Sequence, residues 1–331
     1  MKITVLGGGS WGTALAGMLS AKGLQVSILL RDAGQAEDIN LRHINSRYLP
    51  GIKLAGAGER LLAATDTAEA FADASMCLLA VPCQSMRGVL ASLSGHFFSG
   101  MPVICASKGL ELGSLKTMSG VVREELPQVR YAILSGPSFA KEVAQGMPSA
   151  VVMGCSEKIL GEELRDVFSG NLFRVYSSVD VTGVEIGGAI KNVIAIAAGV
   201  SDGLGFGHNA RAALITRGIA EISRLGAAMG ASPATFMGLS GMGDLVLTCT
   251  GDLSRNRQVG LGLAKGKSLS QIVDDLGMVA EGVKTTEAAV ALGDKLGVDL
   301  PIAVTVRAML QGELAPVDAV KSLMSRALKE E

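Results

Sequence analysis

The stretch Ile3-Thr4-Val5-Leu6-Gly7-Gly8-Gly9-Ser10-Trp11-Gly12, followed by Thr13-Ala14-Leu15-Ala16-Gly17-Met18-Leu19, decides the fold. Residues 3–6 read as a first strand, three glycines break the chain, and residues 13–19 resume with the spacing of an amphipathic helix. Gly7, Gly9 and Gly12 fit G-x-G-x-x-G in the required context, after a strand and at the opening of a helix. The first glycine makes the tight turn, the second lets backbone approach a pyrophosphate, and the third lets helix and strand pack closely. Backbone N–H groups at the helix start then favour an anion. In a chain with 43 glycines, chance clustering is the competing explanation, and position and context argue against it.

Outward from this unit, short apolar runs alternate with helical segments, the pattern of a parallel sheet wrapped by helices. Residues 26–30 read as the second strand, 76–81 as a later one, and 103–106, 132–134 and 150–153 follow. Beyond about Val179 the strand signals stop and long Ala/Gly/Leu-rich helical segments take over. The expected fold is α/β: a Rossmann-type, mostly parallel, doubly wound sheet over residues 1–180, then an all-helical domain over 181–331. No internal repeat or low-complexity linker divides the two, which predicts tightly apposed domains with a cleft between them.

At 331 residues the chain exceeds the usual size of a single core, in keeping with two domains. With 30 basic against 31 acidic residues and no long charge run, nothing marks a nucleic-acid or polybasic membrane-surface protein, so small substrates are expected. Hydrophobic residues make up 48% and aromatics only 4%, which predicts a large aliphatic core. Cys77, Cys83, Cys105, Cys155 and Cys249 form no C-x-x-C pair and read as reduced, buried residues of a cytoplasmic protein. His43, His96 and His208 lie far apart, and no metal is expected. The apolar N-terminus is broken by glycines after only four residues, too soon for a secretory signal. The longest apolar run elsewhere, about 193–200, is far short of the roughly 20 residues a membrane span needs, so no membrane insertion is expected.

Two further positions carry chemistry. Arg31 stands at the end of the second strand, where an acidic residue suits the ribose hydroxyl of NAD and a cation suits the additional phosphate of NADP. It favours NADPH, with Asp32 behind it keeping NADH open; a solvated surface arginine is the alternative. Lys191 lies in the apolar helical stretch Gly187-Gly188-Ala189-Ile190-Lys191-Asn192-Val193-Ile194. Burying a lysine charge costs several kcal/mol unless it is paired or its pKa falls, and proton transfer beside a nicotinamide supplies a reason for the cost. The alternative is a lysine whose stem alone is buried.

The blocks G-G-S-W-G-T-A-L at 8–15, A-V-P at 80–82, S-K-G-L-E at 107–111, L-S-G-P-S-F-A-K-E-V at 134–143, G-A-I-K-N at 188–192, G-D-L at 243–245 and S-R-N at 254–256 run in order over nearly the whole chain. In these the chain resembles the bacterial NAD(P)-dependent glycerol-3-phosphate dehydrogenases. The resemblance implies reversible reduction of dihydroxyacetone phosphate to sn-glycerol 3-phosphate, which feeds phospholipid synthesis, and it implies a homodimer. It assigns Ser10, Trp11, Arg31, Tyr48 and Ala140 to the dinucleotide, along with the glycine loop, and Lys108 to both cofactor and substrate. Gly136 and Ser138 would line the substrate pocket. Lys191 would be the proton donor and acceptor, Lys108 would add positive charge near the reacting oxygen, and Asp244 would hold the Lys191 ammonium. Repulsion between the two lysines is expected to depress one or both of their pKa values.

The substrate phosphate needs its own site. Ser254-Arg255-Asn256, after Gly251-Asp252, reads as a helix start with N–H groups for an anion and an arginine able to form two charge-assisted bonds. A capping serine beside a surface arginine is the plainer alternative. By the resemblance Arg255 would also contact the cofactor, and Val279 and Glu281 would touch its adenosine end and close the cleft over it.

Two other readings compete. β-Hydroxyacid and 6-phosphogluconate dehydrogenases also join a dinucleotide domain to a helical one carrying a lysine, but they place it as K-x-x-N, whereas here Lys191 and Asn192 are adjacent and position 194 is Ile194. A non-catalytic dinucleotide sensor would have no need of Lys108, Lys191, Asp244 and Arg255 together.

Overall fold

The computed structural model describes residues 1–325, so 326–331 of the expected helical domain lie outside the described residues. Two compact units form. The first comprises Met1–Ser107 and Met118–Val181. Its strands are β1 (Lys2–Leu6), β2 (Gln25–Leu29), β3 (Ile44–Asn45), β4 (Leu49–Lys53), β5 (Leu61–Ala64), β6 (Met76–Leu79), β7 (Pro102–Cys105), β8 (Arg130–Ser135), β9 (Ser149–Gly154) and β10 (Phe173–Ser178). Its helices are α1 (Ser10–Ala21), α2 (Ala33–Glu37), α3 (Thr67–Phe71), α4 (Met86–Leu93), α5 (Met118–Glu125), α6 (Ala140–Ala144) and α7 (Lys158–Phe168).

Eight strands make one sheet in the order β10-β9-β8-β7-β6-β1-β2-β5, and β3 pairs with β4 in a small antiparallel hairpin. All neighbours in the large sheet run parallel except β8 against β9. The chain moves from β1 to β2 on one side and reaches β6 on the other, so the direction of travel across the sheet reverses at β1. Ligands of open α/β sheets bind outside the carboxyl ends of the strands at such a switch point. Leu6 stands opposite Leu29 and Leu79, which brings the glycine turn to that end of the sheet.

Each of the six expected strands forms, as β1, β2, β6, β7, β8 and β9. The sequence reading missed the β3–β4 hairpin and both edge strands of the large sheet. Central strands buried on both faces read as continuous apolar runs, whereas β10 alternates, with Phe173 and Val175 buried and Arg174 and Tyr176 exposed. β5 is four residues long and half alanine, a weak strand signal.

The second unit comprises Lys108–Thr117 and the chain from Thr182 onward. Its helices are α8 (Val181–Gly203), α9 (Gly207–Ala228), α10 (Pro233–Phe236), α11 (Asp244–Thr250), α12 (Arg255–Ala264), α13 (Leu269–Leu276), α14 (Glu281–Leu296), α15 (Pro301–Leu310) and α16 (Pro316–Met324). The segment Lys108–Thr117 is an excursion from the sheet unit, closed by a bridge between Leu110 and Thr117, and Leu110 is fully buried in the helical core. At its centre runs α8. With 23 residues and a window of mean hydropathy 1.4 it is long and apolar enough to cross a membrane, but that whole window is buried inside the protein. The sequence reading counted only its uninterrupted apolar run and so understated its length.

Candidate active site

In the sheet unit the glycine turn meets its geometric requirements. Gly7 has φ +115°, where side chains are strained, and a Cβ there would lie 2.7 Å from the Ala80 carbonyl oxygen on the neighbouring strand end. A Cβ on Gly12 would lie 2.1 Å from the Gly7 carbonyl oxygen, so only glycine lets α1 start this close to the turn. Around Gly9 the space is open, since a Cβ would meet nothing within 4 Å. No side chain among the described residues caps α1, whose N-cap is Gly9. A partly buried turn of backbone, open about Gly9, at the head of a 12-residue helix fits a pyrophosphate.

Other residues expected at the cofactor or the substrate belong to the same unit. The Ser10 hydroxyl donates to the Tyr48 carbonyl at 2.9 Å, tying α1 to the β3–β4 hairpin. Trp11 packs on the unit's core, and its Nε1 has no acceptor among the described residues. Asp32 is already engaged: it caps α2, accepting from the Gln35 N–H at 3.0 Å, and faces Arg47 at 3.9 Å. Arg31 is exposed at the end of β2. Gly136 and Ser138 share a turn after β8 in which the Ser138 hydroxyl donates to the Gly136 carbonyl at 3.0 Å, and Ala140 opens α6.

In the helical unit three expected residues converge. Lys191 is mid-way along α8 and only 7% exposed. Asp244 begins α11 and is 1% exposed, and Lys108 comes from the excursion. The two oxygens of Asp244 are divided between the lysines, Oδ1 accepting from Lys191 at 2.5 Å and Oδ2 from Lys108 at 2.8 Å. Two ammonium groups around one carboxylate leave a net positive charge, suited to an anionic substrate and a developing alkoxide.

Burial is the largest influence on Lys191 and lowers its pKa to about 8; Asp244 pulls it back up and Lys108 pushes it down. Repulsion between lysines was the expected cause, and desolvation outranks it. The Lys191 ammonium donates to Asp244 and, at 2.8 Å, to the Thr248 hydroxyl, leaving one of its three N–H groups for a substrate oxygen. Thr248 lies one helical turn after Asp244 and returns its hydroxyl proton to the Asp244 carbonyl at 2.6 Å.

Ser254, Arg255 and Asn256 do start a helix, α12. Ser254 is buried and serves as its N-cap, accepting from the Arg257 N–H at 3.2 Å, so the plain structural role is filled. Arg255 is exposed and donates to the Val279 carbonyl at 2.8 Å, which ties the head of α12 to the segment before α14. Asn256 is buried; its amide donates to Asn192 Oδ1 at 2.9 Å, and its oxygen accepts from the Gly282 N–H at 2.9 Å. The Val279 side chain is exposed, and Glu281 is the first residue of α14. Sequence reasoning overlooked Thr248 and Asn192; the i, i+4 spacing of Thr248 from Asp244 was the signal for the first, and adjacency to Lys191 for the second.

Family models described as NAD-dependent glycerol-3-phosphate dehydrogenase N-terminus and C-terminus match residues 2–160 and 180–321. The glycerol-3-phosphate dehydrogenase (NAD(P)+) of Nitratidesulfovibrio vulgaris strain DP4 is 59% identical over 333 residues, all of both chains. That of Lawsonia intracellularis is 51% identical, over 99% of this chain and 95% of its own. The crystal structure of glycerol-3-phosphate dehydrogenase from Coxiella burnetii superposes with a TM-score of 0.94 at 37% identity, covering 98% of this chain and 99% of that one.

Proposed function

The chain belongs to the NAD-dependent glycerol-3-phosphate dehydrogenases, and from that membership we propose which of its residues carry the reaction. The reaction is the reversible, NAD(P)H-dependent reduction of dihydroxyacetone phosphate to sn-glycerol 3-phosphate. When bound, the dinucleotide supplies the hydride from C4 of its nicotinamide. Lys191, in its ammonium form, gives a proton to the oxygen of the carbonyl being reduced and, as the amine, takes it back in the reverse direction. Asp244 and Thr248 fix the Lys191 ammonium through two of its N–H groups, so the third points at a set position. Lys108 adds a second cation beside the oxygen on which charge develops. The observation that carries this assignment is the buried Lys108–Asp244–Lys191 cluster.

At the phosphate, Arg255 and Asn256 at the head of α12 are the proposed ligands, with Ser254 shaping that helix start as its cap. Gly136 and Ser138 are proposed for the substrate. The glycine turn, Ser10, Trp11, Arg31, Tyr48, Ala140, Val279 and Glu281 are proposed for the dinucleotide. NADPH is the preferred form: Asp32, the acidic residue suited to NAD, is committed to the α2 cap, while Arg31 stands exposed beside it. The same reading gives a cytoplasmic homodimer serving phospholipid synthesis, and its five buried cysteines, none of them in a disulfide among the described residues, accord with a reducing compartment.

NADPH oxidation with dihydroxyacetone phosphate, set against unphosphorylated dihydroxyacetone, tests the substrate. Turnover is expected with the phosphorylated ketone, and Arg255→Ala is expected to raise its KM by roughly 10-fold or more through lost charge-assisted bonds. Undiminished discrimination against dihydroxyacetone in Arg255→Ala would remove Arg255 from the phosphate site.

A further inference from the structure

Three side chains from different parts of the sheet unit converge on one backbone oxygen, the carbonyl of Gly8. Asn45 donates to it from Nδ2 at 3.0 Å, Thr13 from its hydroxyl at 3.3 Å, and Gln35 from Nε2. Asn45 and Thr13 are fully buried, and Asn45 Nδ2 also donates to the Thr13 hydroxyl at 2.8 Å. The orientation of the Asn45 amide is fixed by chemistry: the Tyr48 N–H, which can only donate, lies 3.2 Å from Oδ1, so the amide nitrogen must face Gly8. A Cβ on Gly8 would sit 2.8 Å from the Gln35 amide nitrogen, so the middle glycine of the three is needed for this approach.

The peptide joining Gly8 to Gly9 is planar and trans, so its C=O and N–H point in opposite directions. Holding the Gly8 oxygen against the protein turns the Gly9 N–H the other way, and the space about Gly9 is open, since a Cβ there would meet no described atom within 4 Å. That N–H has no protein acceptor among the described residues. Glycines on both sides of a peptide impose little on its orientation, so a triglycine turn that lets a ligand approach also leaves this plane undetermined. We infer that Asn45, with Thr13 and Gln35, is a positioning residue for the dinucleotide: the three donors lock the Gly8–Gly9 peptide so that the Gly9 N–H is presented to the pyrophosphate. The inference rests on the dinucleotide reading given above. Asn45 also holds the backbone of Tyr48, whose carbonyl receives the Ser10 hydroxyl, so one buried amide ties the turn, the head of α1 and the hairpin together.

Steady-state kinetics with NADPH and dihydroxyacetone phosphate test it, using Asn45→Asp, Gln35→Met, Thr13→Val and Thr13→Ser beside the wild type. Asn45→Asp replaces the donor by an oxygen facing an oxygen, and Gln35→Met removes a donor without adding charge. Both are expected to raise the KM for NADPH by roughly 10-fold, as loss of an aligned donor to a charged group would, while kcat at saturation and the KM for the ketone hold. Thr13→Val should move in the same direction, and Thr13→Ser, which keeps the hydroxyl, should restore wild-type values. If Asn45→Asp does not fold, Gln35→Met and the Thr13 pair carry the test. An unchanged KM for NADPH in the folded variants overturns the inference. So does a fall in kcat together with a rise in both KM values, since that is what a loosened fold produces. A wild type that neither binds nor oxidises NADPH would instead overturn the dinucleotide reading itself.

Discussion

At Lys191, the proposed proton donor, opposing forces set the pKa. Desolvation in the middle of α8 lowers its pKa, Lys108 lowers it further, and Asp244 offsets part of both, leaving a value of about 8. An acid must be protonated to donate, so kcat/KM for ketone reduction should be level below pH 8 and fall as pH rises through it. The reverse reaction needs the amine and should rise over the same range; a pH-rate profile in both directions checks this. Lys108→Met removes a repelling charge and should move the limb to higher pH. Asp244→Asn removes the stabilising charge and should move it to lower pH, with a loss of activity from the freed ammonium. Opposite displacements in these two variants are the expected result, and displacement in one common direction would contradict the assigned causes. Much of this site was legible in sequence because a lysine inside an apolar helix breaks the pattern around it. Thr248 was overlooked: its i, i+4 spacing from Asp244 is a weak signal, because a threonine breaks no pattern and only the folded helix turns its hydroxyl toward Lys191. Asn45 was hidden for the same reason, its partners being a backbone carbonyl and a buried threonine.

Helix ends show how elements constrain one another. α15 begins at Pro301, and the N–H groups of Ile302 and Ala303 donate to the two carboxylate oxygens of Glu221 in α9, at 2.6 and 3.4 Å. Glu221 is 1% exposed, and burial, the largest influence, pushes its pKa up to about 7 against the pull of those two N–H groups. A carboxyl whose folded pKa lies above its unfolded value binds its proton more tightly in the folded state. Its contribution to stability is therefore full below about pH 4.5 and is lost as pH rises toward 7. Thermal unfolding across this range should show Glu221→Gln with a flatter pH dependence than the wild type, and Glu221→Ala destabilised by about 1–2 kcal/mol or more through the lost cap. Identical slopes for wild type and Glu221→Gln would show that Glu221 titrates alike in both states. Among the strands, the internal ones announced themselves by continuous apolar runs. β10 did not, since an edge strand needs only one buried face, and β5 did not because it is short and half alanine.

The molecule divides its work between units with separate cores, one built on the sheet and one on α8. The glycine turn between the first strand and the first helix was legible, whereas the switch in strand order that places it was not, since that order is set by pairing across the sheet. The excursion Lys108–Thr117 was not legible either: it carries Lys108, proposed above for the reaction, from a strand end of the first unit into the second, and a linear division of the chain has no means of expressing it. On the proposed roles, this division predicts that dinucleotide binding and proton transfer are separable by mutation. The glycine turn, which belongs to the first unit, should bind NADPH whether or not Lys191, in the second, retains its ammonium. The decisive experiment measures Lys191→Met twice, by NADPH affinity and by turnover of dihydroxyacetone phosphate at saturating NADPH. Affinity within a few-fold of wild type together with turnover lowered by roughly 10² to 10⁴ is the predicted result. Turnover close to wild type with NADPH bound would contradict the assignment of Lys191 as the proton donor.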